Sequence, residues 1–155
     1  TYAERMKMMQ ELQHSKPHAD NYVNSLVREQ KLSPSFSVRE SERGHFYMPV
    51  SINGRPLEMM ADTGASAIFL SQSDARKLGI NMGSLRYNVT YNTANGKVMA
   101  AETTAKSIRV GDIVMQNVPI TISQSQKSDM SLLGMEFFRR LNKYEVRNNT
   151  LMLYK

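Results

Sequence analysis

With 155 residues, 41% of them hydrophobic, and a net charge of +6, the chain is long enough for one domain with a substantial core and too short for two. No apolar run approaches the roughly 18 residues of a membrane-spanning helix, and the lack of cysteine excludes disulfides, a thiolate nucleophile and a zinc ribbon. The positive charge is dispersed: no basic run exceeds two residues (Arg76-Lys77 and Arg139-Arg140) and no aromatic side chains interleave with them, so no nucleic-acid partner is expected and the surface reads as solvated and weakly basic.

The chain starts without Met and without a signal-like apolar segment, and is therefore read as part of a longer chain with its targeting information upstream. Tyr2, Met6, Met9 and Leu12 recur at helical spacing until Pro17 ends the pattern. Asp20 then reads as the N-cap of a second short helix through Tyr22, Val23, Leu26 and Val27, broken by Ser33-Pro34-Ser35. Helices this short are marginal alone, so residues 1–44 are expected to form a helical or partly disordered arm beside the domain. His14 and His18 stand four apart, but Pro17 interrupts the turn and no third ligand is near, so no metal is expected there.

From Phe46 the texture changes to strands. Residues 46–52 and 57–61 flank Asn53-Gly54, a hairpin signal because both residues tolerate positive φ. The second strand runs through Met59, Met60 and Ala61 straight into Asp62-Thr63-Gly64-Ala65-Ser66. A carboxylate at the end of a buried strand is costly unless it is hydrogen-bonded, paired or sharing a proton. Gly64 permits a tight turn and close approach of another backbone. Asp62 is thus the leading candidate for chemistry in the chain.

A short buried strand follows at 67–70, then a helix over 71–78 with Ser71 as cap and Gly79 as stop. The stretches 87–91 and 98–101 are β-prone and joined through Asn92, Thr93, Ala94, Asn95 and Gly96. This polar tip is poorly anchored to a core and could move over a site. Strand texture continues over residues 103–122, through 108–110, 113–115 and 118–122, with a turn at Gly111-Asp112. After a polar loop at 123–129, Leu132-Leu133-Gly134 leads into a short helical pattern over 135–141. A last hairpin over 144–146 and 151–154 turns at Asn148-Asn149. This regular spacing of strands predicts a compact, mostly β barrel with one or two short helices over residues 45–155. The twelve methionines are read as core fillers.

In that order and spacing, the hairpin entering Ala61-Asp62-Thr63-Gly64-Ala65-Ser66, the Ala94-Asn95-Gly96 tip, Gly111 between paired strands, and Leu132-Leu133-Gly134-Met135 before a short helix resemble the single-domain, retropepsin-like aspartic proteases of bacteria, rickettsial members included. The resemblance covers residues 45–155. It implies a closed acid-protease barrel and no cofactor. Asp62 would be the catalytic carboxylate. Thr63, Gly64, Ala65, Ser66, Leu133 and Gly134 would support the catalytic loop, with Thr63 bonding across a two-fold axis. Tyr91, Asn92, Thr93, Ala94, Asn95, Gly96, Lys97 and Val98 would form the flap over a peptide or protein substrate.

Aspartic proteolysis needs two carboxylates sharing one proton, and the chain contains no second Asp-Thr/Ser-Gly. The resemblance therefore implies a homodimer with one Asp62 from each protomer. Ala65 stands where many two-lobed aspartic proteases have a hydroxyl residue that bonds the carboxylate, which implies a working pH less far into acid. Ser66 and Met135 replace an acidic residue and an arginine that form an ion-pair network in retroviral relatives, which implies a weak dimer. The terminal strand over 151–154 could pair at the dimer interface or within its own sheet. Family members often follow membrane-spanning helices, so a membrane-anchored parent in the bacterial cell envelope is expected. A non-catalytic peptide-binding or dimerisation module on the same fold, and a membrane-associated structural domain tethered by its arm, are the alternatives.

Overall fold

A computed structural model describes residues 33–93, 96–126 and 129–155, together with Ala3 and Met6. Apart from those two helical residues, of which Met6 is buried in the core, the helices read in residues 1–31 lie outside the described part.

Ten strands are described. In chain order, β1 is Phe36–Arg39, β2 Tyr47–Ile52, β3 Arg55–Ala61 and β4 Ile68–Leu70. Helix α1 (Gln72–Lys77) and a single 3₁₀ turn at Met82–Ser84 follow. Next come β5 (Val89–Thr93), β6 (Gly96–Val110), β7 (Ile113–Ser123), β8 (Ser131–Leu133), helix α2 (Met135–Phe138), β9 (Lys143–Arg147) and β10 (Thr150–Tyr154). Strands β2, β3, β8, β4, β7 and β6 are neighbours in that order, and pairing of Ser51 and Ile52 with Arg109 and Ile108 closes them into a six-stranded barrel. Strand β5 extends the sheet from β6.

Period-2 alternation builds the barrel interior. Met48, Val50 and Ile52 of β2 and Leu57, Met59 and Ala61 of β3 are buried, while the residues between them are more exposed. The β2–β3 turn has φ of 52° at Asn53 and 81° at Gly54, as a two-residue hairpin of matching twist requires. Asn53 also docks the turn onto β6, accepting the amides of Lys106 at 2.8 Å and Ser107 at 3.2 Å through Oδ1.

Three features add to the sequence reading. Strand β6 runs unbroken for 15 residues, joining the stretch read at 98–101 to the strand texture read from 103 onward; its central inward positions carry only the small side chains of Ala101, Thr103 and Ala105. Within the stretch read as the arm, Phe36–Arg39 forms β1, paired with Leu153 to Thr150 of β10; four residues are too few for a clear periodicity. Of the two placements open to the terminal strand, the structure has the second: β10 lies between β1 and β9 in its own three-stranded sheet.

On β9, Tyr144 and Val146 join the core, yet Lys143 and Glu145 on the opposite face are buried as well. Lys143 Nζ lies 3.3 Å from Glu145, whose other carboxylate oxygen accepts the Tyr154 hydroxyl at 3.1 Å. A buried ion pair of this kind adds little net stability, but removing one partner is costly. Burial, then the charge and hydrogen bond of Glu145, push Tyr154 up to about 12, with Arg147 opposing.

Candidate active site

Asp62 is placed by a strand that arrives late in the chain. Strand β3 ends at Ala61, residues 62–67 turn, and β4 leaves at Ile68. Between these two strands lies β8, parallel to β3 with Ala61 opposite Leu133, and antiparallel to β4 with Ile68 opposite Leu133. The Asp62 amide donates to the Leu133 carbonyl at 3.0 Å, and the Ala65 amide returns to the Asp62 carbonyl at 3.1 Å. The Gly64 amide donates to Asp62 Oδ1 at 2.9 Å, a bond to a charged acceptor that orients the carboxylate.

Gly134 lets the next segment pass under this loop. A Cβ there would come within 2.6 Å of the Ala65 carbonyl oxygen and closer still to that of Ala67, so the position excludes any side chain on steric grounds. Beyond it the Met135 amide donates to Ala65 O at 2.8 Å and the Glu136 amide to Ser66 O at 3.1 Å. The loop carbonyls thereby satisfy amides at the start of α2 that have no partner within the helix.

Asp62 is half-buried, Gly64 and Ser66 are exposed, and Thr63 is buried at 4% exposure. The Thr63 hydroxyl has no hydrogen-bond partner among the described residues. A buried, unsatisfied hydroxyl costs of order 1–3 kcal/mol, and this one sits beside the carboxylate.

Strand register extends the site outward from Asp62. Met60 lies opposite Leu132, Leu132 opposite Phe69, and Phe69 opposite Thr121, so these side chains share the face opposite the barrel core. Met60, Leu132 and Phe69 are half-buried apolar groups. Tyr91 closes the row, with its ring 5.0 Å from that of Phe69 and its hydroxyl 3.4 Å from Thr121 Oγ1. Sequence reading missed this row, although the alternation of β3 put Met60 on the face opposite Met59 and Ala61.

The flap candidates lie on the β5–β6 hairpin: Tyr91 pairs with Val98, Asn92 with Lys97, and Thr93 with Gly96. Asn92, Gly96 and Lys97 are exposed and Val98 is half-buried, whereas Ala94 and Asn95 lie outside the described residues.

Behind β8, Ser131 is fully buried. Its hydroxyl donates to Asp74 Oδ2 at 2.6 Å and accepts the Ser71 amide at 3.0 Å. Ser71 in turn caps α1, its hydroxyl accepting the Asp74 amide at 3.0 Å. Ser71 was legible as a cap; the part played by Ser131 had no sequence signal.

Comparison with known proteins matches residues 48–140 to the family described as "gag-polyprotein putative aspartyl protease". A crystal structure of a retropepsin-like aspartic protease from Rickettsia conorii superposes with a TM-score of 0.70 at 35% identity, over 77% of this chain and 89% of that one. The chain belongs to the retropepsin-like aspartic protease family. EIAV protease complexed with the inhibitor HBY-793 shares the retropepsin fold at a TM-score of 0.57 and 19% identity, over 71% of this chain and all of that one. An uncharacterised protein of Sinorhizobium sp. is 38% identical over 110 residues, 71% of this chain and 47% of its own length. One of Rickettsia prowazekii (strain Madrid E) is 35% identical over 116 residues, 75% and 49% respectively. The chain thus spans about half the length of these curated relatives.

Within this retropepsin-like scaffold, the segments that hold the two replaced positions, Ser66 and Met135, are joined by backbone bonds, each to the other's neighbour. Ser66 and Ala65 contribute carbonyls to the α2 amides, and Glu136 turns away to pair with Arg139 and Arg140.

Proposed function

We propose that this retropepsin-like domain is an aspartic endopeptidase whose active species is a homodimer, with Asp62 of each protomer facing the other across a two-fold axis. The observation that carries the reading is the pairing of a single Asp62, oriented by the Gly64 amide, with a buried Thr63 hydroxyl that the protomer leaves without a partner among the described residues. Both are half of an arrangement that a second copy completes. In the dimer one carboxylate takes a proton from the lytic water. The other, protonated, polarises the scissile carbonyl. The half-buried row of Met60, Leu132, Phe69 and Tyr91 supports binding of an extended peptide with apolar side chains, covered by the β5–β6 hairpin as flap. Without the ion pairs of its retroviral relatives, the dimer is expected to be weak and promoted by substrate.

The test compares wild type and Asp62→Asn on a peptide library between about pH 4 and 7, with and without a statine-containing inhibitor. The proposal expects cleavage by wild type alone, blocked by the inhibitor. Equal cleavage by both proteins rules out catalysis by Asp62. Absence of cleavage even by a covalently linked dimer favours a non-catalytic peptide-binding module. We further propose that the domain is the soluble part of a membrane-anchored protein of the bacterial cell envelope. No helix among the described residues is long and apolar enough to cross a membrane, so the anchor would lie elsewhere in the parent. Recovery of the parent in the soluble fraction of lysed cells would exclude an anchor.

A further inference from the structure

The half-site rests on β8, a strand of three residues. Such a strand has little hold of its own: Leu132 is half-buried on the cleft face, and Leu133 carries both the core contact and the carbonyl that receives the Asp62 amide. Its first residue, Ser131, is polar, fully buried, and tied to helix α1 at both hydrogen-bonding capacities of its hydroxyl. In an ordinary capping box, the side chain at the third helical position reaches back to the amide of the cap residue. Here the Ser131 hydroxyl stands between them, accepting from the Ser71 amide and donating to Asp74 Oδ2. A residue 60 positions away in the chain therefore completes the cap.

We propose that Ser131 and Asp74 are positioning residues for Asp62: the interposed hydroxyl fixes how deeply β8 sits between β3 and β4, and so where the Leu133 carbonyl meets the Asp62 amide. Two observations make this more than a local cap. The 2.6 Å bond joins groups that are both buried, where a bond to a carboxylate is strong and its loss leaves unsatisfied groups on both partners. The path from it to the reacting group is short, since Ser131 lies opposite Met59 and Leu133 opposite Ala61 on the strand that ends at Asp62. A shift of β8 cannot leave Asp62 in place. Lys77, whose Nζ lies 3.7 Å from Asp74 Oδ1, is largely exposed and contributes little to the clamp. Neither Ser131 nor Asp74 lies in the cleft; both act through β8.

The kinetic part of the test rests on the protease reading, and the exchange part does not. Hydrogen exchange at the Asp62 amide is measured in wild type, Ser131→Ala, Asp74→Ala and Asp74→Asn. Val110→Ala, in the core at the far end of the β6–β7 pair, serves as a control of lowered stability. The expected result is exchange at Asp62 at least tenfold faster in Ser131→Ala and Asp74→Ala, with amides of β6 and β7 unchanged. Asp74→Asn, which keeps an oxygen able to accept from Ser131, stays within threefold of wild type, and Val110→Ala leaves the Asp62 amide protected. On a cleaved peptide, Ser131→Ala and Asp74→Ala lower kcat at least tenfold with KM within twofold, and Asp74→Asn restores it. Wild-type protection of Asp62 in a folded Ser131→Ala overturns the proposal; if that variant does not fold, the same result in Asp74→Ala does so. A wild type that cleaves nothing defeats the protease reading alone, because the exchange result still decides the clamp.

Discussion

Thr63 buries a hydroxyl that finds no partner among the described residues of its own chain, so the protomer and the proposed dimer should respond oppositely to its removal. Thr63→Val keeps the shape and deletes the polar atom. In the dilute protomer this should leave stability unchanged or raise it by up to about 1 kcal/mol, because an unsatisfied group is lost. In the dimer, where the proposed cross-axis bond satisfies the hydroxyl, the same change should weaken association at least tenfold. Urea denaturation at low concentration and sedimentation over a concentration series read the two effects separately. Equal association of both proteins would remove Thr63 from the interface. At this scale the sequence was informative where geometry forbids alternatives. Asp62 and Gly64 stand out because a carboxylate at the end of a buried strand and a close backbone approach narrow the choice of residue, and the same reasoning applies to Gly134, where a Cβ meets two loop carbonyls. Ser131 did not stand out, since a serine before an apolar strand is ordinary until the partner 57 positions away in the chain is known.

Among the elements, the hairpins were the most legible. Asn53-Gly54 and Asn148-Asn149 each adopt positive φ at both residues, and turn chemistry is local. Strand β1 was not, because it is defined by its partner: it exists by pairing with β10. The β9–β10 hairpin carries a pH-dependent property. Burial raises Tyr144 to about 12, and burial with Glu145 raises Tyr154 to about 12. Unfolded tyrosine titrates near 10, so above that pH the unfolded chain releases protons that the native hairpin retains. The hairpin's contribution is therefore complete below about pH 10 and is lost as pH rises through about 12. Urea midpoints measured from pH 8 upward should hold level and then fall steeply over that interval. A midpoint unchanged at pH 12 contradicts the assignment.

For the molecule as a whole, the position of β10 decides what the chain's end does. A C-terminal strand that served only to hold two copies together could be deleted and leave a folded protomer. Here β10 is the centre of a three-stranded sheet, with Leu151 and Leu153 in the core and Tyr154 bonded to Glu145. Deleting residues 148–155 should therefore abolish cooperative thermal unfolding, whereas a folded, monomeric product would show that β10 is dispensable to the protomer. The same long-range logic governs the site. Strand β8 lies between β3 and β4, yet it is made about 70 residues after Ala61 opposite Leu133, and closing so long a loop is slow relative to forming hairpins. On the ribosome the Asp62 loop emerges well before the strand that shapes it. Until Leu133 and Gly134 have threaded into place, the Asp62 loop has neither the carbonyl that anchors its backbone nor its floor. The candidate site of a nascent chain is thus unshaped until residues 131–136 have been made and docked against the Asp62 loop.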